Sequence, residues 1–134
     1  MFWLWWLWRH FYVRLHRMPA RLLAAIPKLA SLNIERSLSF LEGLGFHRAG
    51  VYPDYGIAER DGVQIHFWLC QDPRTPNETA CRVAVEGIEE LFELYSAKGV
   101  IHPNGSLEAK PWGVWEFSVL DPDGNLITFQ QPAA

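Results

Sequence analysis

Two helical stripes, one 54 residues after the other, constrain this chain more than any other feature. Ile34, Leu38, Leu41 and Leu44 recur at the spacing of one helical face, with Glu35, Arg36 and Glu42 elsewhere. Asn33 precedes them as an N-cap, and Gly45 follows as a left-handed stop. Ile88, Leu91, Phe92 and Tyr95 form a second stripe closed by Gly99. Moving the first pattern forward places Ile34 on Ile88, Leu38 on Phe92, Leu41 on Tyr95 and Gly45 on Gly99. Such self-similarity marks a duplicated supersecondary unit.

Strand patterns surround each helix. Leu22–Leu29 precedes the first, and Phe46–Val51, Tyr55–Glu59 and Val63–Cys70 follow it. Asp61-Gly62 is a two-residue hairpin signal. Around the second helix lie Ala80–Val85, Val100–His102, Val114–Leu120 and Leu126–Gln130. Asp121-Pro122-Asp123-Gly124 turns between the last two. Each half reads βαβββ, over about residues 21–70 and 80–132, with Gln71–Glu78 as linker. The expected fold is α+β: two βαβββ modules forming a curved mixed sheet whose uncovered face is an open trough. That face needs a ligand or a partner, and a dimer is expected.

The 134 residues suit one domain, residues 18–134, with 49% hydrophobic and 20% charged residues. Cys70 and Cys81 match neither a zinc ribbon nor a redox pair, and read as reduced buried thiols of a cytoplasmic protein. Residues 1–17 stand apart. Phe2–Trp8 is continuously apolar and holds four of the seven tryptophans, followed by Arg9, Arg14 and Arg17. Seven apolar residues fall short of the roughly twenty that span a bilayer. The segment is either an interfacial, partner-docking arm or a stretch upstream of a natural start at Met18-Pro19. Without those three arginines, nine basic residues face fifteen acidic ones. Such an acidic body disfavours nucleic acid and attracts cationic ligands.

Catalytic patterns are sparse. His66 sits inside a strand whose other face, Val63, Ile65, Phe67 and Leu69, is wholly apolar. It reads as a metal ligand, a substrate contact or a half-buried polar residue. No Gly-x-Ser-x-Gly elbow or phosphate-cradling loop occurs. Aromatic residues carry more information. Pro111-Trp112-Gly113 precedes Trp115, Glu116 and Phe117, and Tyr55 and Trp68 add two more rings. Aromatic faces beside acids suit flat or cationic heterocycles, although Trp115 and Phe117 also fit core or interface.

Residues 24–132 resemble the vicinal-oxygen-chelate superfamily, and within it the bleomycin-resistance-type binding proteins. The resemblance is carried by Ile26-Pro27, Ser37, Phe40, Leu44-Gly45-Phe46, Ala80–Val85 and Lys110–Pro132. Its most specific part is Pro111-Trp112-Gly113 followed by Glu116-Phe117 and Asp121-Pro122-Asp123-Gly124-Asn125. The resemblance implies a homodimer with clefts shared between subunits. In the superfamily's metalloenzymes four strand-borne ligands hold a metal; here those positions fall at Ile26, His66, Ala80 and Thr128. Only His66 suits a metal, so no catalytic residue, metal or cofactor is expected. The resemblance places Trp112 at an aromatic clamp, Tyr55 at an aromatic in the strand after the first hairpin, and Asp54 at its acidic neighbour. Ala49 and Gly50 depart from an acid–aromatic pair found in some members.

The expected function is metal-free sequestration of a flat cationic ligand such as a bleomycin-like antibiotic. Trp112, Tyr55, Trp68 and Trp115 would stack on it, Asp54 and Glu116 would supply charge, and His66 would contact it. The alternatives are a glyoxalase- or dioxygenase-like metalloenzyme using His66, and an interaction module with a Trp-rich arm.

Overall fold

A computed structural model describes residues 19–133. The extension expected at residues 1–17 lies outside the described residues. The first module comprises β1 (Lys28–Ser31), α1 (Ile34–Gly43), β2 (His47–Tyr52), β3 (Tyr55–Arg60) and β4 (Val63–Leu69). The second comprises β5 (Ala80–Ala84), α2 (Ile88–Ala97), β6 (Glu108–Lys110), β7 (Val114–Leu120) and β8 (Leu126–Pro132). Each module has its own four-stranded mixed sheet, ordered β1-β4-β3-β2 and β5-β8-β7-β6. β1 and β5 run parallel to β4 and β8, and the other pairs are antiparallel.

Local chemistry explains both helices. The Asn33 side chain accepts from the Arg36 amide at 3.0 Å, and the backbone reverses at Gly45 with φ +92°. Ile34, Ser37, Leu38 and Leu41 are buried on the first sheet. α2 starts after Gly87, which has no side chain to cap it. Gln131 of β8 supplies the cap instead, its Oε1 accepting from the Ile88 amide at 3.0 Å. The helices begin 54 residues apart, as the repeat requires. Asp61 and Gly62 both have positive φ, the geometry of a type I′ hairpin.

Two strands differ from the sequence expectation. Only the last two residues of Leu22–Leu29 are strand: pairing begins where the Pro27 carbonyl accepts from the His66 amide at 3.0 Å. Leu22 is 99% exposed, so no described residue covers the start of that apolar run. Val100–His102 makes only a single bridge, between Ile101 and Val119. Pro103 and Gly105 end the run, and the edge position passes to Glu108–Lys110, whose polar sequence gives no strand signal.

One continuous core joins the helix-covered faces of both sheets, from Leu29, Leu38 and Phe67 to Tyr95, Phe117 and Phe129. Phe117 and Phe129 stack at 5.2 Å, and Tyr95 meets Phe129 edge-on at 5.4 Å. The Tyr95 hydroxyl crosses to the first module and donates to the Leu44 carbonyl at 2.6 Å.

The β7–β8 turn bolts the modules together. Asp121 Oδ1 accepts from the amides of Asp123, Gly124 and Asn125 at 2.8–3.0 Å, closing the turn. Asn125 Nδ2 donates to Asp121 Oδ2 and to the Ala30 carbonyl of β1, both at 2.7 Å. Asp123 accepts from the Leu32 amide at 2.9 Å and pairs with Arg36 in the first turn of α1. Asp-Pro-Asp-Gly-Asn is therefore architectural.

Candidate functional site

Strand alternation sorts the side chains of each sheet into a helix-covered face and an open face. In the first sheet, Gly56 and Ala58 of β3 face the helix, as do Ile65 and Phe67 of β4. The open face carries Tyr55, Ile57 and Glu59, paired across the ladder with Trp68, His66 and Gln64. Lys28 of β1 stands opposite His66.

A chain of hydrogen bonds runs along this face. The Tyr55 hydroxyl lies 2.7 Å from His66 Nδ1, and His66 Nε2 lies 2.9 Å from Gln64 Oε1. Gln64 Nε2 reaches Glu59 Oε1 at 3.3 Å, and Glu59 Oε2 lies 3.2 Å from His47 Nε2. The Tyr55 and His66 rings meet edge to face, 5.4 Å apart at 88°. Asp54 occupies the β2–β3 turn, where its carbonyl accepts from the Leu69 amide at 2.9 Å. Its carboxylate is exposed next to Tyr55 in the chain, at the end of the ladder that holds the Tyr55–Trp68 pair.

The open face of the second sheet carries Arg82, Glu108, Glu116, Ser118, Thr128 and Gln130. Arg82 Nη1 donates to Glu116 Oε1 at 3.2 Å and to Gln130 Oε1 at 3.0 Å, spanning β5, β8 and β7. Glu116 is only 8% exposed, so its charge is spent largely on Arg82. Trp112 is 62% exposed at the tip of the β6–β7 turn, its ring 5.9 Å from Lys110 Nζ. Trp115 shares the β7 face of Phe117 and Val119, opposite that of Glu116.

The fold thus brings Tyr55, His66 and Trp68 together on one face, with Asp54 in the adjoining turn, and places Trp112 and Glu116 on the other module. Among the described residues no hydrogen bond or ion pair joins the two open faces. A cleft of about 450 Å³ lies on the helix side, between the β3–β4 hairpin and the β5–α2 connection. It is lined by Phe46, Arg60, Val63, Val83, Leu91 and Tyr95, and none of the expected site residues reaches it. Sequence reasoning missed Glu59, Arg82 and Gln130. Alternation about the buried Val83 would have exposed Arg82, but its pairing with Glu116 needs the sheet order.

The donor set does not fit a metal. Both ring nitrogens of His66 are engaged in hydrogen bonds. Ile26 precedes β1, Ala80 has no donor side chain, and the Thr128 hydroxyl is 2.8 Å from that of Ser118. No three His, Cys, Asp or Glu side chains cluster around a possible metal position among the described residues. Cys70 and Cys81 are both free. Burial pushes the Cys81 thiol up to about 11, far from the range of a nucleophile. No helix among the described residues is long and apolar enough to cross a membrane.

Paired βαβββ modules with open, helix-free faces are a fold that this chain shares with solved bleomycin resistance and glyoxalase/bleomycin resistance/dioxygenase proteins. A bleomycin resistance protein from Geobacillus stearothermophilus is 31% identical over an alignment that covers 82% of this chain and 97% of the relative. The chain belongs to the bleomycin resistance protein family. It matches no protein-family model. Among solved structures, a bleomycin resistance determinant encoded on the transposon Tn5 superimposes with a TM-score of 0.74 at 21% identity. That match covers 84% of this chain and all of the other. The bleomycin-binding protein of Streptomyces verticillus, solved with copper(II)-bleomycin, gives 0.73 at 24% identity, over 83% and 97% of the two chains.

Proposed function

We propose that this protein binds a bleomycin-type antibiotic and withholds it, breaking no bond. The observation that carries the reading is the Tyr55–Trp68 pair at one end of an open sheet face, with the exposed Asp54 in the adjoining turn. A flat cationic group stacked there meets two rings and an uncompensated carboxylate, with His66 holding Tyr55. Trp112 supplies the exposed ring of the second module. Glu116 contributes less charge than its position suggests, because Arg82 already neutralises it. Trp115 stands outside the contact set.

The site is completed by a second copy of the chain. Each open face holds only part of the contact set, and each lies on the far side of its sheet from the common core. In a homodimer the first open face of one protomer meets the second of its partner, enclosing the ligand. The place of action is the cytoplasm, where the free thiols Cys70 and Cys81 stay reduced. The acidic body gives nucleic acid no electrostatic footing.

Titration of the purified protein with bleomycin is expected to quench tryptophan emission saturably, with weaker binding after Trp112→Ala. Emission unchanged across the titration would refute sequestration. Sedimentation of the free protein as a monomer at micromolar concentration would refute the shared site.

A further inference from the structure

We infer that the hydrogen-bond chain on the first open face turns the Tyr55 hydroxyl into a pure acceptor, so the ligand group it takes is a flat cation bearing N–H. The inference rests on the reading that Tyr55 touches ligand, and it adds the chemistry of the contacting group.

The polarity is set from the far end. A carboxylate only accepts, so Gln64 Nε2 donates to Glu59 Oε1 at 3.3 Å. With the Gln64 amide nitrogen turned to Glu59, its oxygen faces His66 and can only accept. His66 Nε2, at 2.9 Å, therefore carries the ring proton. A neutral imidazole has one donor and one acceptor, which leaves Nδ1 to accept. The Tyr55 hydroxyl at 2.7 Å gives its only proton to that nitrogen. What remains on the phenol oxygen is lone pairs.

The surroundings agree with this polarity. Trp68 stands across the ladder from Tyr55 and offers a π face, and Asp54 offers a carboxylate from the adjoining turn. Lys28, opposite His66, is exposed on the edge strand β1 and can swing its ammonium into water. An amidinium or guanidinium on an aromatic body satisfies ring, carboxylate and phenol oxygen together. A quaternary ammonium of the same size satisfies only the first two.

The test compares benzamidinium with phenyltrimethylammonium on the full chain, following side-chain and amide NMR signals of Tyr55, His66 and Trp68. Benzamidinium should bind about tenfold more tightly, the worth of one hydrogen bond to a charged group. Tyr55→Phe should bring the two probes close to parity. Glu59→Gln should erode the preference too, because a carboxamide can donate to Gln64 and let the chain reverse. Nitrogen NMR of the imidazole should show the proton of His66 on Nε2. Equal affinities in the unsubstituted protein, a preference surviving Tyr55→Phe, no benzamidinium response at Tyr55, or a His66 proton on Nδ1 would each overturn the inference. The two readings fail separately. Bleomycin without effect on tryptophan emission removes sequestration while the probe preference stands, and the converse removes only the polarity.

Discussion

The side-chain amide of Asn125 donates a 2.7 Å hydrogen bond to the carbonyl of Ala30, 95 residues earlier in the chain. Asn125 is wholly buried, and all its side-chain polar atoms have partners: Nδ2 also serves Asp121, and Oδ1 accepts from the Thr79 hydroxyl. One residue therefore closes its own turn and ties the second module to the first strand of the other.

Replacing Asn125 by alanine should leave the Ala30 carbonyl and Asp121 Oδ2 without this donor inside the protein. Each buried group left without a partner costs about 1–3 kcal/mol, so a loss of about 3 kcal/mol is expected. Urea unfolding followed by circular dichroism should show a lower midpoint with an unchanged slope.

Asp121 should make stability fall as pH rises through the acid range. Burial, the largest influence, raises its carboxyl above the ordinary 3.8, although the Asn125 side chain and turn amides pull the other way. The folded state then holds this proton to higher pH than the unfolded chain does. The contribution of Asp121 to stability is complete below the unfolded value and is lost as pH climbs through the folded one. Carboxyl carbon NMR of the folded protein should place the Asp121 midpoint above 3.8. A midpoint at or below that value would contradict the burial argument.

Gly56→Ala should be destabilising although alanine is the better strand residue. A Cβ there would lie 3.0 Å from Ile34 Cγ2 and 3.2 Å from the Leu38 methyls, where α1 rests on β3. Overpacking of this kind costs about 1–3 kcal/mol. Thermal unfolding should show a lower midpoint, and Gly43→Ala, with open space around it, serves as control.

Cys81 should resist alkylation in the folded protein. With its thiol near 11, about one molecule in a thousand carries the thiolate at pH 8. Iodoacetamide labelling read by mass spectrometry should be slow at Cys81 and accelerate sharply in urea.

Sequence alone was decisive wherever a short segment carries its own physical instruction. Asn33 and Gly45 cap a helix from within it, Asp61-Gly62 demands positive φ at both residues, and helical stripes 54 residues apart mark the duplication. Alternation along Val63–Leu69 likewise separated the core face from the open one. Tertiary structure decided whatever depends on a partner distant in the chain. Glu108–Lys110 is a strand only because β7 offers an unpaired edge, and Leu22 is exposed because no described residue lies above it. Arg82 neutralises Glu116 only because β5, β8 and β7 stand side by side, and Trp115 faces away from Glu116 by the pleat of β7. The polarity of the Tyr55 hydroxyl is of the same kind. It is set by a carboxylate that touches the tyrosine nowhere and acts on it only through the side chains the sheet aligns between them.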